Sequence, residues 1–354
     1  MNWLLKSIVR FTGKQLYRAF ESATNNPHET QKSLLFNSIL QKNSETEFGR
    51  QHAFKNIRTE NDFRKFVPIQ NEESLAPYIE KTLEGMKGVL TSDLPTRFNV
   101  TSGTTGKPKY IPVTFKSQVR TSQLMINWFY RSLQDHPELL DHSFLLIASP
   151  AVEGHSSGRI PYGSATGVIY EKLPCLMRGS FAIPFLVSQI KDYNLRYYLL
   201  ARLALGRRIS LIGAANPTTL VRIAEAVRAY QDPLIRSIRL GRVCDKPLDL
   251  DFGGQEEVIS TIGKGLKPNP TRARTLELAA QTRGYLRLGD CWPELRLIAC
   301  WLGGSIGSQV NKIFDHFDQD ISVRDLGYHA SEGSFTLPYQ DHSPSGILAL
   351  FNCY

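Results

Sequence analysis

The sequence predicts an α/β protein: largely parallel sheets flanked by helices. Three observations carry that expectation. Residues 143–148 (SFLLIA), 208–213 (RISLIG) and 295–301 (LRLIACW) are continuous apolar runs, the pattern of strands covered on both faces. Segments with helical periodicity, 185–205, 218–230 and 273–283, stand between them, and such alternation favours parallel strands joined by crossovers. The chain has 354 residues and is 42% hydrophobic, enough for a large core and more than one subdomain.

Taken in order, residues 1–95 read as a mainly helical lead-in and 96–354 as the α/β region. Lys6, Arg10, Lys14 and Arg18 recur every four residues and form one helical stripe. Leu4, Leu5, Ile8, Phe11 and Leu16 favour another side, and no acid precedes Glu21. Residues 1–20 therefore fit a helix packed on its own domain with a solvated basic face. They also fit a weak peripheral contact with an anionic membrane, and a transit peptide shares the pattern. Lys and Arg interrupt every apolar stretch, which argues against a secretory signal or a span of roughly 20 apolar residues. Residues 34–40 and 72–84 read as helices. Residues 97–100 read as a short strand, followed by a Gly/Thr loop, a second strand at 109–115 and a long helix at 118–133. Thr218 or Thr219 is expected to cap the helix after Asn216-Pro217. Residues 253–270, rich in Gly, Pro, Lys and Asn, are the best linker candidate. Residues 347–351 read as a buried strand that ends three residues before Tyr354, so the chain is expected to be cut within a fold.

Composition narrows the function less than the motifs do. The balance of 42 Lys+Arg against 33 Asp+Glu gives a formal charge of +9, which favours anionic ligands without selecting one. Basic residues are not interleaved with aromatics in a nucleic-acid module, so no nucleic acid is expected as partner. Cys175, Cys244, Cys291, Cys300 and Cys353 are scattered without a CxxC pair. Reduced thiols in a cytoplasm fit that better than a disulfide framework or a zinc site.

The strongest motif is Thr101-Ser102-Gly103-Thr104-Thr105-Gly106-Lys107-Pro108-Lys109. Its glycines let backbone approach a ligand, successive amides form an anion-binding concavity, and four hydroxyls and two lysines add donors and charge. It is not the P-loop, which needs four residues between its glycines and opens a helix. Here two residues separate Gly103 from Gly106, and Tyr110-Ile111-Pro112-Val113 is extended, giving a strand-loop-strand grip. Tyr328-His329-Ala330-Ser331-Glu332-Gly333 follows a strand expected at 321–326. A carboxylate at a strand end beside a hydroxyl suits Mg²⁺ next to phosphates, and Tyr328 suits stacking on a purine. Trp301-Leu302-Gly303-Gly304-Ser305 runs from a strand into a glycine turn. All three motifs fall at strand ends, where α/β sheets gather ligands. No GxSxG elbow points to a Ser-His-Asp triad. Residues 158–167 are glycine-rich and fit either one wall of a substrate pocket, with Arg159 meeting a carboxylate, or a surface loop. His155 reads as a solvated loop residue.

TSGTTGKPK followed by YIPVT, then WPELRLIACWLGGS, then YHASEG, resembles the adenylate-forming superfamily. More narrowly it is similar to the acyl acid amido synthetases, the plant auxin- and jasmonate-conjugating enzymes and their bacterial relatives. Residues 46–50 (TEFGR), 66–69 (FVPI) and 213–217 (GAANP) fit the narrower family. The resemblance implies ATP and Mg²⁺ as cofactors. It implies activation of a small carboxylic acid as its acyl-AMP with release of pyrophosphate, then transfer to an amine, commonly an amino acid. By position, Ser102, Thr104, Thr105 and Gly106 would contact ATP phosphates, with Thr101, Gly103 and Lys107 in the same grip. Lys109 would be the loop's catalytic lysine. Gly304 and Ser305 would line the adenine and acyl-adenylate pocket, Tyr328 would pack on adenine, and Ser331 would contact phosphate. Glu332 would bind Mg²⁺ and act in catalysis. His329 stands where relatives often carry a small residue. Relatives continue through a hinge to a small C-terminal domain with a second catalytic lysine, which the resemblance implies is absent here. The alternative expectation is therefore an inactive fragment that binds nucleotide, acyl-adenylate or a partner.

Overall fold

The structure, a computed structural model, describes residues 3–102, 108–171, 175–244, 254–318 and 320–349. Gly103, Thr104, Thr105, Gly106 and Lys107 lie outside the described residues, and Ser102 enters only as a backbone position.

The described elements before the first strand are all helical. The opening helix, Trp3–Asn25, packs on the long helix Phe115–Asp135. The contact is close because residue 13 is glycine: a Cβ there would stand 2.7 Å from Tyr130 Cδ2. Phe20 and Leu124 are buried together below it. The long helix forms because Thr114 accepts a hydrogen bond from the Ser117 amide as N-cap. Leu124, Trp128 and Leu133 then repeat at helical spacing on its inner face.

Twelve strands are described: β1 (Arg97–Ser102), β2 (Pro108–Val113), β3 (Ser143–Leu146), β4 (Gly154–His155), β5 (Pro161–Gly163), β6 (Ile209–Gly213), β7 (Leu297–Ala299), β8 (Ser322–Arg324), β9 (His329–Ala330), β10 (Gly333–Ser334), β11 (Thr336–Pro338) and β12 (Gly346–Leu348). The three apolar runs become β3, β6 and β7. With β8 they form one sheet in the order β3-β6-β7-β8, parallel throughout. Ile209, Leu211, Ile212, Leu297 and Ile298 are all buried, as strands covered on both faces must be. The helices Tyr193–Leu205, Thr218–Ala229, Gln231–Leu240 and Pro270–Arg283 pack into the largest core cluster on this sheet. A second sheet has the order β2-β1-β5-β4, with β1 antiparallel to β2 and parallel to β5.

Three expectations need correction. Residues 185–205 are not one helix. A 3-10 turn at Phe185–Gln189 stops, and Asp192 restarts the chain as N-cap by accepting from the Leu195 amide at 2.6 Å. Neither Thr218 nor Thr219 caps the helix at 218: Pro217 is the N-cap position, and Asn216 Oδ1 holds the turn before it, accepting from the Thr218 amide at 2.9 Å and from its hydroxyl at 2.8 Å. The segment 253–270 is not a plain linker. It holds the helix Glu256–Lys264, anchored by buried Ile259 and Ile262. Cys291 and Cys300 are buried in the core, and desolvation pushes each thiol up to about 12, so neither is poised as a thiolate.

Candidate functional site

The β1–β2 hairpin pairs Thr101 with Lys109 and Ser102 with Pro108, so the two strands deliver the intervening loop from one edge. Arg97 anchors the other end of β1, donating from Nη2 to the carbonyls of Ala151 (3.1 Å) and Ser164 (3.3 Å). Asn99 lies two residues from Thr101, hence on the same face of the strand. Its Nδ2 donates to the Ser331 carbonyl at 3.2 Å. That bond joins the β1–β2 hairpin to the motif at residues 328–333, across 232 positions of sequence.

Ser331 and Glu332 form the two-residue turn between β9 and β10, where Ala330 pairs with Gly333. His329 holds this turn from beneath. Its Nε2–H donates to the Leu326 carbonyl at 2.7 Å, which leaves Nδ1 to accept from the Ser334 hydroxyl at 2.7 Å. Burial lowers the His329 pKa, in keeping with this neutral tautomer. The histidine, where a small residue was expected, is a stitch inside the hairpin. Tyr328 is 67% exposed, with its ring centroid 5.4 Å from that of Phe335. Its outer face is therefore available for a flat ligand.

The glycine turn after β7 is built for its backbone. Gly304 has φ +65°, the left-handed region that glycine adopts without a Cβ penalty. A Cβ at Gly307 would stand 2.3 Å from the Leu302 carbonyl oxygen. The turn leads into the 3-10 helix Gly304–Ile313, so Gly304 and Ser305 sit at its start. Asp325, a residue the sequence did not single out, ties this turn to the Tyr328 loop. One carboxylate oxygen accepts from the Leu302 amide and the other from the Gly327 amide, each at 2.5 Å. The long helix joins them, because Trp128 Nε1–H donates to the Asp325 carbonyl at 2.8 Å. The signal was present: an acid at a strand end, directly before Leu326-Gly327.

Lys109 does not point into open space. Its ammonium is 2.5 Å from Glu72 on the helix Glu72–Leu83. Glu332 is exposed, and its carboxylate makes no hydrogen bond or ion pair among the described residues. Among those residues there is also no group of three or more His, Cys, Asp or Glu able to hold a metal alone. A single exposed carboxylate fits Mg²⁺, which keeps several waters and takes one or two carboxylates plus substrate phosphates. It does not fit a dedicated protein cage. At the carboxyl ends of β3 and β6, a cavity of about 200 Å³ is lined by apolar Leu146, Ile183 and Phe185 together with Ser149, Thr166 and Asn216.

Loops gathered at the ends of parallel strands define an α/β protein, and the candidate site lies where such folds gather ligands. The chain belongs to the GH3 family: the family model described as the GH3 family N-terminal domain matches residues 16–320. It is similar to a jasmonoyl–L-amino acid synthetase, JAR6, of Nicotiana attenuata, at 23% identity over 345 residues, 94% of this chain and 58% of that protein. It is similar to the indole-3-acetic acid-amido synthetase GH3.5 of Arabidopsis thaliana, at 21% identity over 335 residues, 91% of this chain and 53% of that one. The fold matches a solved acyl acid amido synthetase, AtGH3.15 in complex with 2,4-DB, with a TM-score of 0.83 and 19% identity, over 97% of this chain and 60% of that chain. The chain thus spans less than two thirds of the length of these relatives.

Proposed function

We propose that this chain carries the nucleotide- and acid-activating site of an ATP-dependent acyl acid amido synthetase. The carrying observation is the Asn99–Ser331 hydrogen bond, which sets the strand leading into the phosphate loop against the turn that bears Glu332. In this reading the loop 101–107 grips the triphosphate with its amides and hydroxyls. Bound Mg²⁺ supplies charge neutralisation on the phosphates, and Glu332 holds it. Tyr328 covers the adenine, and the turn at Gly304 and Ser305 lines its pocket. We assign the acid to the cavity at the ends of β3 and β6. Acid and triphosphate are both anions, so positioning and neutralisation dominate the step. Lys109 is released from Glu72 to meet the developing charge on phosphate. Attack of the carboxylate on the α-phosphorus makes acyl-AMP and expels pyrophosphate; an amino acid amine then attacks the acyl carbon, and AMP and a proton leave to give the amide. The relatives' names, which pair acids with amino acids, support the second step.

The test is acid-dependent exchange of labelled pyrophosphate into ATP by the purified chain, over a panel of aryl and aliphatic acids, with ATP-Mg titrated calorimetrically in parallel. Exchange is expected with at least one acid. ATP-Mg binding without exchange would favour the second reading, a nucleotide-binding region that does not turn over alone. Neither binding nor exchange sinks both.

A further inference from the structure

The opening helix carries two apolar stripes, and the fold uses only one. Val9, Gly13 and Phe20 face the long helix and its core. On the opposite side Leu4 is 54% exposed, Ile8 48% and Phe11 66%, and Trp3 is 76% exposed. At 3.6 residues per turn Leu4, Ile8 and Phe11 share one face within about 60°, and Trp3 stands at its edge, about 80° from Phe11 and beside Arg10 and Lys14. Arg10, Lys14 and Arg18 are exposed along its flank, and the stretch from Trp3 to Phe20 contains no acid. Lys6 is held by Asp141, 2.5 Å away, which pins the front of the helix just ahead of β3. The outward stripe therefore lies at the amino-terminal end of the parallel sheet, whereas the candidate site forms at the carboxyl ends of its strands.

We propose that this helix docks the protein on an anionic lipid surface, with Trp3, Leu4, Ile8 and Phe11 in the interface and Arg10, Lys14 and Arg18 on the headgroups. An aromatic-aliphatic stripe flanked by cations is the amphipathic pattern that lies in the membrane plane. Tryptophan favours the headgroup level. Basic groups near an anionic leaflet add attraction that salt screens. A second copy of this chain is the less favourable occupant, because pairing two such faces brings Arg10, Lys14 and Arg18 against their own kind. No helix of the described residues is long and apolar enough to cross a membrane, so the contact is peripheral. The inference is independent of the reaction proposed above, since it rests on a different element and a different end of the sheet.

The experiment is co-sedimentation with vesicles of phosphatidylcholine alone and of phosphatidylcholine mixed with phosphatidylserine, at low and high salt, with gel filtration of the same samples. Binding is expected on the mixed vesicles, weakened by salt and weaker by about tenfold on the neutral ones. Trp3→Ala with Phe11→Ala should weaken it by at least about tenfold, as lost interfacial area predicts. Lys14→Glu with Arg18→Glu should weaken it on mixed vesicles only. All four side chains are exposed, so the variants should melt like the parent. No binding at low salt overturns the proposal. So does binding indifferent to Trp3→Ala and Phe11→Ala, which would reduce it to the general charge of +9. A dimer that these two substitutions dissolve would assign the face to a second copy instead.

Discussion

Glu332 is a single exposed carboxylate on a two-residue turn, held in place by backbone pairing and by His329 rather than by any cation of its own. That makes it a clean test of the metal's role. Glu332→Gln should lower pyrophosphate exchange about 10²-fold, in the range for lost charge-stabilising groups, without changing the melting profile. A variant with undiminished exchange would remove Glu332 from the site. His329 gives a pH prediction whose sign follows from burial. Its folded pKa lies below the ordinary value of 6.5, so the unfolded chain takes up the proton first. Stability from this group is whole above about 6.5 and is lost as pH falls toward the folded value. His142 and His316 are shifted the same way by burial and share the window. His329→Gln, which keeps a donor for Leu326, should therefore flatten part of the loss of stability below pH 6.5 in denaturant titrations. An unchanged slope would mean that the stitch does not titrate. At this scale the sequence exposed Tyr328, Ser331 and Glu332 through their motif. It did not expose Asn99, whose partner Ser331 lies far along the chain, and it marked Asp325 only as an acid at a strand end, without its bond to the Leu302 amide.

Among elements, the buried strands were legible because an apolar run covered on both faces has no other economical place to go. Element ends were less so. The restart at Asp192 and the turn at Asn216 each depend on a single side chain, and residues 256–264 were hidden by the Gly, Pro and Lys around them. The pairing of β8 with the long helix was invisible, since it runs through a buried arginine. Arg324 is 1% exposed, and its guanidinium meets Asp135 at 2.6 Å, Asp341 at 2.7 Å and the Ser132 hydroxyl at 3.2 Å. Burial pushes the Asp341 carboxyl up, but the His136 hydrogen bond and the Arg324 charge outweigh it and hold the pKa at about 2. This cluster fixes β8 and hence Asp325, the next residue, which positions both site loops. Arg324→Met removes the buried cation shared by Asp135 and Asp341, which keep only Arg131 and His136 as partners among the described residues. It should cost about 3 kcal/mol in urea unfolding, the low end for a broken buried pair because Asp135 remains partly solvated. It should also loosen the Tyr328 loop enough to weaken nucleotide binding. A loss below about 1 kcal/mol, the value of an exposed pair, would contradict the buried-network reading.

For the whole molecule, the candidate site draws on separate sheets: β1 and β2 flank the loop, β7 leads into the glycine turn, and the β9–β10 hairpin after β8 carries Ser331 and Glu332. Motif spacing placed all three segments at strand ends, but only the folded chain puts Asn99 against Ser331. A ligand that bridges such segments must raise the stability of the folded state by mass action, whether or not turnover follows. With ATP-Mg at about 100 times its dissociation constant, the expected gain is about 2.7 kcal/mol. Thermal unfolding should shift upward with ATP-Mg and by less with ATP plus a chelator, because the metal neutralises charge that the loop would otherwise meet unaided. Glu332→Gln should erase most of the difference between those two conditions while leaving the unliganded melt unchanged. If the metal-free and metal-loaded shifts are equal in the parent, Glu332 does not bring a cation to the phosphates. If nothing shifts at any nucleotide concentration, these segments do not share a nucleotide, and the bond between Asn99 and Ser331 is only a fold contact.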